Sequence, residues 1–296
     1  MGRGTWDGAS RATYSAFASS TAGKSTEEIY RSRGLHPDLD PKKAGVRESR
    51  DSAENPESTP IIVALDVTGS MGMLADVIAR TGLGTLFEQI LAQKPVTDPH
   101  LMFMGVGDVL YDSAPLQVSQ FEADSSIIQQ LTNIYLEHGG GGNHFESYHF
   151  PWYFGAFHTV HDAMEKRGRR GYLFTVGDEE APETPLTSAQ IKGICGADVQ
   201  KDLDPQELYQ LASRVYDCYH IVIEEGNYAR HRLASVKASW ADMIGQKVIC
   251  LSDHLRLAET IVETINLAEG NDAPRPWDPH THRIVADATR HLPRPS

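Results

Sequence analysis

The chain is short of positive charge, of cysteine and of long apolar runs, and each shortage closes off a class of function. Lys and Arg together number 27 against 40 Asp and Glu, for a net charge of −13. Binding a phosphate backbone needs a basic footprint, so nucleic acid is argued against as the main ligand. The local basic run Lys166, Arg167, Arg169 and Arg170 reads as a solvated helix end before a strand, since cations favour helix carboxyl ends. Three cysteines, Cys195, Cys218 and Cys250, form an odd count without CxxC spacing, so neither a disulfide framework nor a zinc knuckle follows. No apolar stretch approaches about 18 residues and the amino terminus lacks a signal-peptide core, so the expectation is a cytoplasmic protein with no membrane association. No GxSxG elbow and no nucleophile-base-orienter triad is visible. AGKST at 22–26 resembles part of a phosphate loop, but Ala18 stands where the leading glycine belongs and no buried strand precedes it.

What is present centres on IIVALDVTGSMG. Ile61 to Leu65 is a short, continuous apolar run after Pro60 and reads as a buried strand. Asp66, Thr68 and Ser70 follow it, three oxygen-bearing side chains spaced two apart at the strand's carboxyl end, the edge where open α/β sheets bind ligands. One carboxylate and two hydroxyls make a partial oxygen shell for a hard divalent cation such as Mg²⁺. The same residue types also build an ordinary capped turn. Further along, GGGGNHFES (139–147) is a glycine loop that opens a helix-like segment, and GYLFTVGDEEAPE (171–183) is a second buried strand ending in Asp178.

Together these three segments resemble the von Willebrand factor type A family, whose metal-ion-dependent adhesion site uses DxSxS after the first strand, a Thr from a second loop and an Asp after a later strand. The resemblance covers roughly residues 60 to 268. It implies a metal set of Asp66, Thr68, Ser70, Asn143 and Asp178, with Mg²⁺ as the ion and Mn²⁺ or Ca²⁺ as alternatives. Thr68 keeps the hydroxyl of the usual Ser. Asn143 puts an amide where the family has a hydroxyl, and Ser147 is the nearest other hydroxyl, so the second loop's ligand is left open between the two.

Alternating helix and strand patterns argue an α/β fold, Rossmann-like and doubly wound: a mostly parallel six-stranded sheet with one antiparallel edge strand, at 115–121, and helices on both faces. Residues 60–268 form the domain. Residues 1–59 read as an extended or partly disordered arm, with Trp6, Tyr14, Phe17 and Tyr30 as anchors to its own domain or another subunit. Residues 269–296 read as a Pro-rich, non-core tail. A single helix is expected over 73–93, and 219–223 and 247–251 as the last strands.

Two further clusters call for a reading. His138, His144, His149, His158 and His161 crowd into one stretch without a specific zinc spacing and read as surface or hydrogen-bonded core histidines. Asp108, Glu146, Glu179 and Glu180 are expected at the carboxyl edge of the sheet, with Asp112 outside it; such a rim would concentrate cations. The function expected is a non-enzymatic, metal-dependent protein-binding or scaffold module, in which a partner's carboxylate completes the coordination. An AAA ATPase or another component of a multi-protein system is the partner type the family suggests. A metal-dependent hydrolase with His144 or Glu146 as base is one alternative. A structural subunit that forms homo-oligomers through its arm is the other.

Overall fold

The computed structural model describes residues 8–290 apart from 22, 31, 72, 78–82, 138–144, 272, 274 and 276. Six strands form its main sheet: β2 (Ser58–Asp66), β3 (Asp98–Val106), β4 (Leu116–Val118), β6 (Gly171–Gly177), β7 (Tyr216–Ile223) and β8 (Val248–Leu251). Their spatial order is β4-β3-β2-β6-β7-β8, with every neighbouring pair parallel except β3 and β4. The fold is therefore α/β with a parallel-dominated sheet and an antiparallel edge strand. A separate parallel pair joins β1 (Arg47–Ser49) to β5 (Thr159–His161).

Alternation along β2 divides its side chains between two apolar layers. Ile61, Val63 and Leu65 enter a cluster with Leu86 and Ile90 of α5 (Leu83–Gln93) and Ile261 and Ile265 of α12 (Leu257–Ala268). Ile62 and Ala64 enter the other, with Phe150 and Phe154 of α7 (His149–Phe157), Leu208 of α10 (Pro205–Ala212) and Val236 and Trp240 of α11 (Ala229–Ile244). Burial on both faces explains why β2 reads as an unbroken apolar run instead of alternating.

Four stretches differ from the reading of the sequence. The amino-terminal arm carries a helix, α1 (Gly8–Thr21), whose Ala and Ser content suits helix better than extended chain, and Phe17 packs on the first apolar cluster. Ile29, Tyr30 and Leu39 are buried in that cluster, so the later part of the arm belongs to the core. The last residue of the AGKST segment, Thr26, opens a short helix, α2 (Thr26–Ile29), where Ser25 and Glu28 make a capping box. In the carboxyl-terminal stretch, α13 (Pro279–Thr289) starts on an Asp278 cap and buries Val285 and Ala288 in the same cluster.

Within 73–93, helix is described as α4 (Met73–Val77) and then α5. Finally, α11 has no clear signal in the sequence, because its buried residues Ala229, Val236, Trp240 and Ile244 are spread thinly through a largely polar segment. Among the described residues, no helix is long and apolar enough to cross a membrane.

Candidate metal centre

The strand order reverses between β2 and β6: the chain leaves β2 for β3 on one side and later returns to β6 on the other. At such a reversal the connecting loops part and leave a crevice at the carboxyl ends of the strands. Asp66 ends β2 and Asp178 follows β6, so both stand at this reversal, and both are fully buried.

A chain of hydrogen bonds joins them. The Thr68 backbone N–H and Oγ1 both donate to Asp66 Oδ1, at 2.9 and 2.7 Å. Thr68 Oγ1 and Ser70 Oγ lie 3.2 Å apart, and Ser70 Oγ donates to Asp178 Oδ1 at 2.8 Å. The two-residue spacing matters because the DVTGS turn folds back and points Asp66, Thr68 and Ser70 toward one another. The far side of Asp178 is held by the Tyr228 N–H on Oδ2 at 2.8 Å, and the Asn227 N–H ties down the Ser70 carbonyl at 3.0 Å.

Of the five residues expected as ligands, the structure brings together Asp66, Thr68, Ser70 and Asp178. Asn143 lies outside the described residues, as do His138 and His144. Ser147 is buried near the site but accepts the Val109 N–H at 2.9 Å; among the described residues it makes no hydrogen bond to the other four. The remaining histidines have structural work: His161 caps α8 (Asp162–Arg167) by accepting the Met164 N–H, and His158 stacks on Phe154. His149 is buried, which pushes its pKa down to about 3.

The acidic residues gather more tightly than expected. Asp108, Glu146 and Glu179 are buried beside the pair. Asp112, expected elsewhere, folds back on the β3 end, and its Oδ2 accepts the Asp108 N–H at 2.6 Å. Glu180 instead turns away to Tyr228 and Ser235. Among the described residues no Lys, Arg or His pairs with Asp66, Asp178, Glu146 or Glu179. Burial, reinforced by Asp178, pushes Asp66 up to about 7. Burial and the Asp66 charge push Glu179 up to about 8 and Glu146 up to about 11. Glu146 Oε2 and Glu179 Oε2 are each buried without a hydrogen-bond partner among the described residues.

An all-oxygen set with crowded carboxylates, two hydroxyls and two orphaned carboxylate oxygens fits a hard divalent cation and suits a soft metal poorly. Buried like charges are costly unless something neutralises them.

Several contributors carry no mark in the sequence. Tyr148 is fully buried and donates to Asp66 Oδ2 at 2.7 Å from 82 positions away. It packs edge-on against His220 and Trp240, which stack on each other with ring centroids 3.4 Å apart. Trp240 in turn donates to the Glu179 carbonyl at 2.9 Å. Two glycines make room for these groups. A Cβ on Gly177 would lie 1.9 Å from Tyr148 Oη, and one on Gly226 would lie 2.2 Å from Asp178 Cβ.

A second group, Glu225, Asp253 and His254, brings its ligand atoms within 4.8 Å of one another at the ends of β7 and β8. Its members are already engaged: Glu225 accepts both the N–H and Nδ1 of His254, while Asp253 caps the Leu255 N–H and pairs with Arg256.

No family profile and no curated protein matches the chain. Among solved structures it is similar to the pilus adhesin SpaC of Lactobacillus rhamnosus GG in its open conformation, at 10% identity and a TM-score of 0.45. The likeness covers 73% of this chain and 31% of the adhesin, and one so remote says nothing about what the chain binds.

Proposed function

We propose that the crevice between β2 and β6 holds a divalent cation, Mg²⁺ by preference, and that the chain is a non-enzymatic module which grips a protein partner through that ion. The observation that carries this reading is the hydrogen-bonded chain Asp66–Thr68–Ser70–Asp178, set among buried carboxylates with which, among the described residues, no cationic side chain pairs. Asp66, Thr68, Ser70 and Asp178 would hold the ion, with Asn143 or Ser147 from the glycine loop as the further ligand. Hard cations keep several coordination positions for water. An open position can therefore take a carboxylate from outside, which is the use the von Willebrand factor type A resemblance implies.

The same resemblance supports the finer reading of the fold as Rossmann-like and doubly wound, since the two apolar layers lie on opposite sides of β2. Three free cysteines suit a reducing, cytoplasmic compartment. A partner with an acidic residue at its contact point, such as an AAA ATPase or another member of a multi-protein system, is the type expected.

The test is a pull-down from the native cell extract with the full chain and with Asp66→Asn, each with Mg²⁺ and with chelator. A partner retained only by the unmodified chain with Mg²⁺ supports the reading. One retained equally in all four arms removes the ion from recognition.

A further inference from the structure

The opposite edge of the sheet carries a cavity of about 470 Å³. It opens between the amino ends of β2, β3 and β6 and the carboxyl ends of α8 and α12. The nine residues of β2 separate it from Asp66, a span of roughly 26 Å at the usual rise per residue. Among the described residues four cations line it, Lys94, Arg167, Arg169 and Arg170, against two anions, Glu57 and Glu269. A local positive excess in a chain of net charge −13 runs against the general field of the molecule.

Three of the cations are oriented by neighbouring acids. Arg167 reaches Asp51 at 2.8 Å and the Ser58 carbonyl at 2.7 Å, Arg169 pairs with Glu269, and Arg170 meets Asp217 at 3.1 Å. Arg169 and Arg170 nevertheless stay 47% and 39% exposed, so their guanidinium forks are fixed but still reachable. Asp217 also has Lys247 at 2.9 Å, so it keeps a partner if Arg170 turns to a ligand.

Lys94 is different. Its side chain makes no ion pair or hydrogen bond among the described residues, and its backbone takes φ 45° where α5 ends. Helix ends in that left-handed conformation are normally glycine or asparagine, and a lysine there costs backbone strain. An unpaired cation is thus held by a costly backbone on the wall of a cavity whose other cations are pre-oriented.

We propose that this cavity binds a small phosphate-bearing molecule, with the phosphate gripped by Lys94 and by the Arg169 and Arg170 forks. Guanidinium groups match phosphate oxygens bidentately, and lysine adds a mobile point charge. The volume lies within the range of about 300 to 1,000 Å³ common for small-ligand sites, enough for a nucleoside diphosphate. The site is independent of the cation reading at the other edge.

The experiment is calorimetric titration of inorganic pyrophosphate and of ADP into the full chain at low salt. It is done in chelator, so that no metal can bridge phosphate to the carboxyl edge. Lys94→Gly keeps the left-handed backbone while deleting the charge, so any loss of binding in it is not a loss of fold; Arg170→Ala is the second variant. Binding of either anion that weakens by about 10-fold or more in each variant, the usual scale for a charged hydrogen bond, is the expected result. Equal binding of the two anions assigns the cavity to the phosphate group itself, and tighter ADP assigns it to a nucleotide. No binding of either anion, or binding unchanged in both variants, overturns the proposal.

Discussion

Gly177→Ala should be far more damaging than the addition of one methyl group normally is. The new Cβ would sit 1.9 Å from Tyr148 Oη and 2.6 Å from its Cζ, distances that no contact survives. Tyr148 has nowhere to go: it is fully buried, wedged against His220 and Trp240, and Trp240 is itself fixed by its bond to the Glu179 carbonyl. Overpacking a tight core typically costs about 1 to 3 kcal/mol. Displacing the tyrosine also breaks its 2.7 Å hydrogen bond to Asp66, and a bond to a charged group contributes about 1.5 to 3 kcal/mol. The expected loss is therefore on the order of 4 kcal/mol, measured by denaturant unfolding in chelator at neutral pH. Gly193 provides the control, because it lies exposed within α9 (Ser188–Cys195) with nothing within 4 Å of an added Cβ. Gly193→Ala should be neutral or stabilise by up to about 1 kcal/mol through helix propensity. If Gly177→Ala falls within about 0.5 kcal/mol of the unmodified chain, the usual range of a harmless surface change, the packing described around Tyr148 is wrong.

Other outcomes follow from the same geometry. In chelator, stability should fall as pH rises from about 5 to 8: Asp66 and Glu179 are pushed up to about 7 and 8, so the folded state keeps protons that the unfolded chain has already released. The slope is at most about 1.4 kcal/mol per pH unit for each such group, and saturating Mg²⁺ should flatten it; a curve that rises with pH in chelator contradicts the buried-acid account. Truncation before Pro279 removes α13 and exposes the surface that covers Val285 and Ala288, and should cost on the order of 3 kcal/mol by the loss of buried apolar area. Unchanged thermal unfolding of the truncated chain would show that α13 does not belong to the core.

Much of this fold is legible in the sequence because its central strands are buried on both faces. The apolar run Ile61–Leu65 and the largely apolar Tyr172–Val176, followed by Asp66 and Asp178 at the carboxyl edge of the sheet, make both the central strands and these acids visible in the sequence. Elements stabilised by a few distant contacts are not legible in this way. Four buried residues anchor α11 within sixteen that are otherwise mostly polar, too few to set a clear period. The Pro and His residues of α13 masked a helix whose cap, Asp278 before Pro279, is itself an ordinary start signal. Tyr148 could not be found at all, since nothing local marks a tyrosine that hydrogen-bonds across 82 positions. Asp66 is completely buried, which is why Asp66→Asn, retaining an acceptor for Thr68, is a better probe than alanine.

The central claim is that the carboxyl edge was built around a cation, and a calorimetric titration of Mg²⁺ into metal-free full-length protein tests it most directly, with Asp66→Asn and Asp178→Asn alongside. The account predicts one bound ion for the unmodified chain, with stability rising by about 2.7 kcal/mol once Mg²⁺ reaches a hundred times its dissociation constant. It predicts no detectable binding in either variant, although both should fold at least as stably in chelator, because each removes one buried like charge. Failure of the unmodified chain to bind Mg²⁺, Mn²⁺ or Ca²⁺, or equal binding in the two variants, would contradict it.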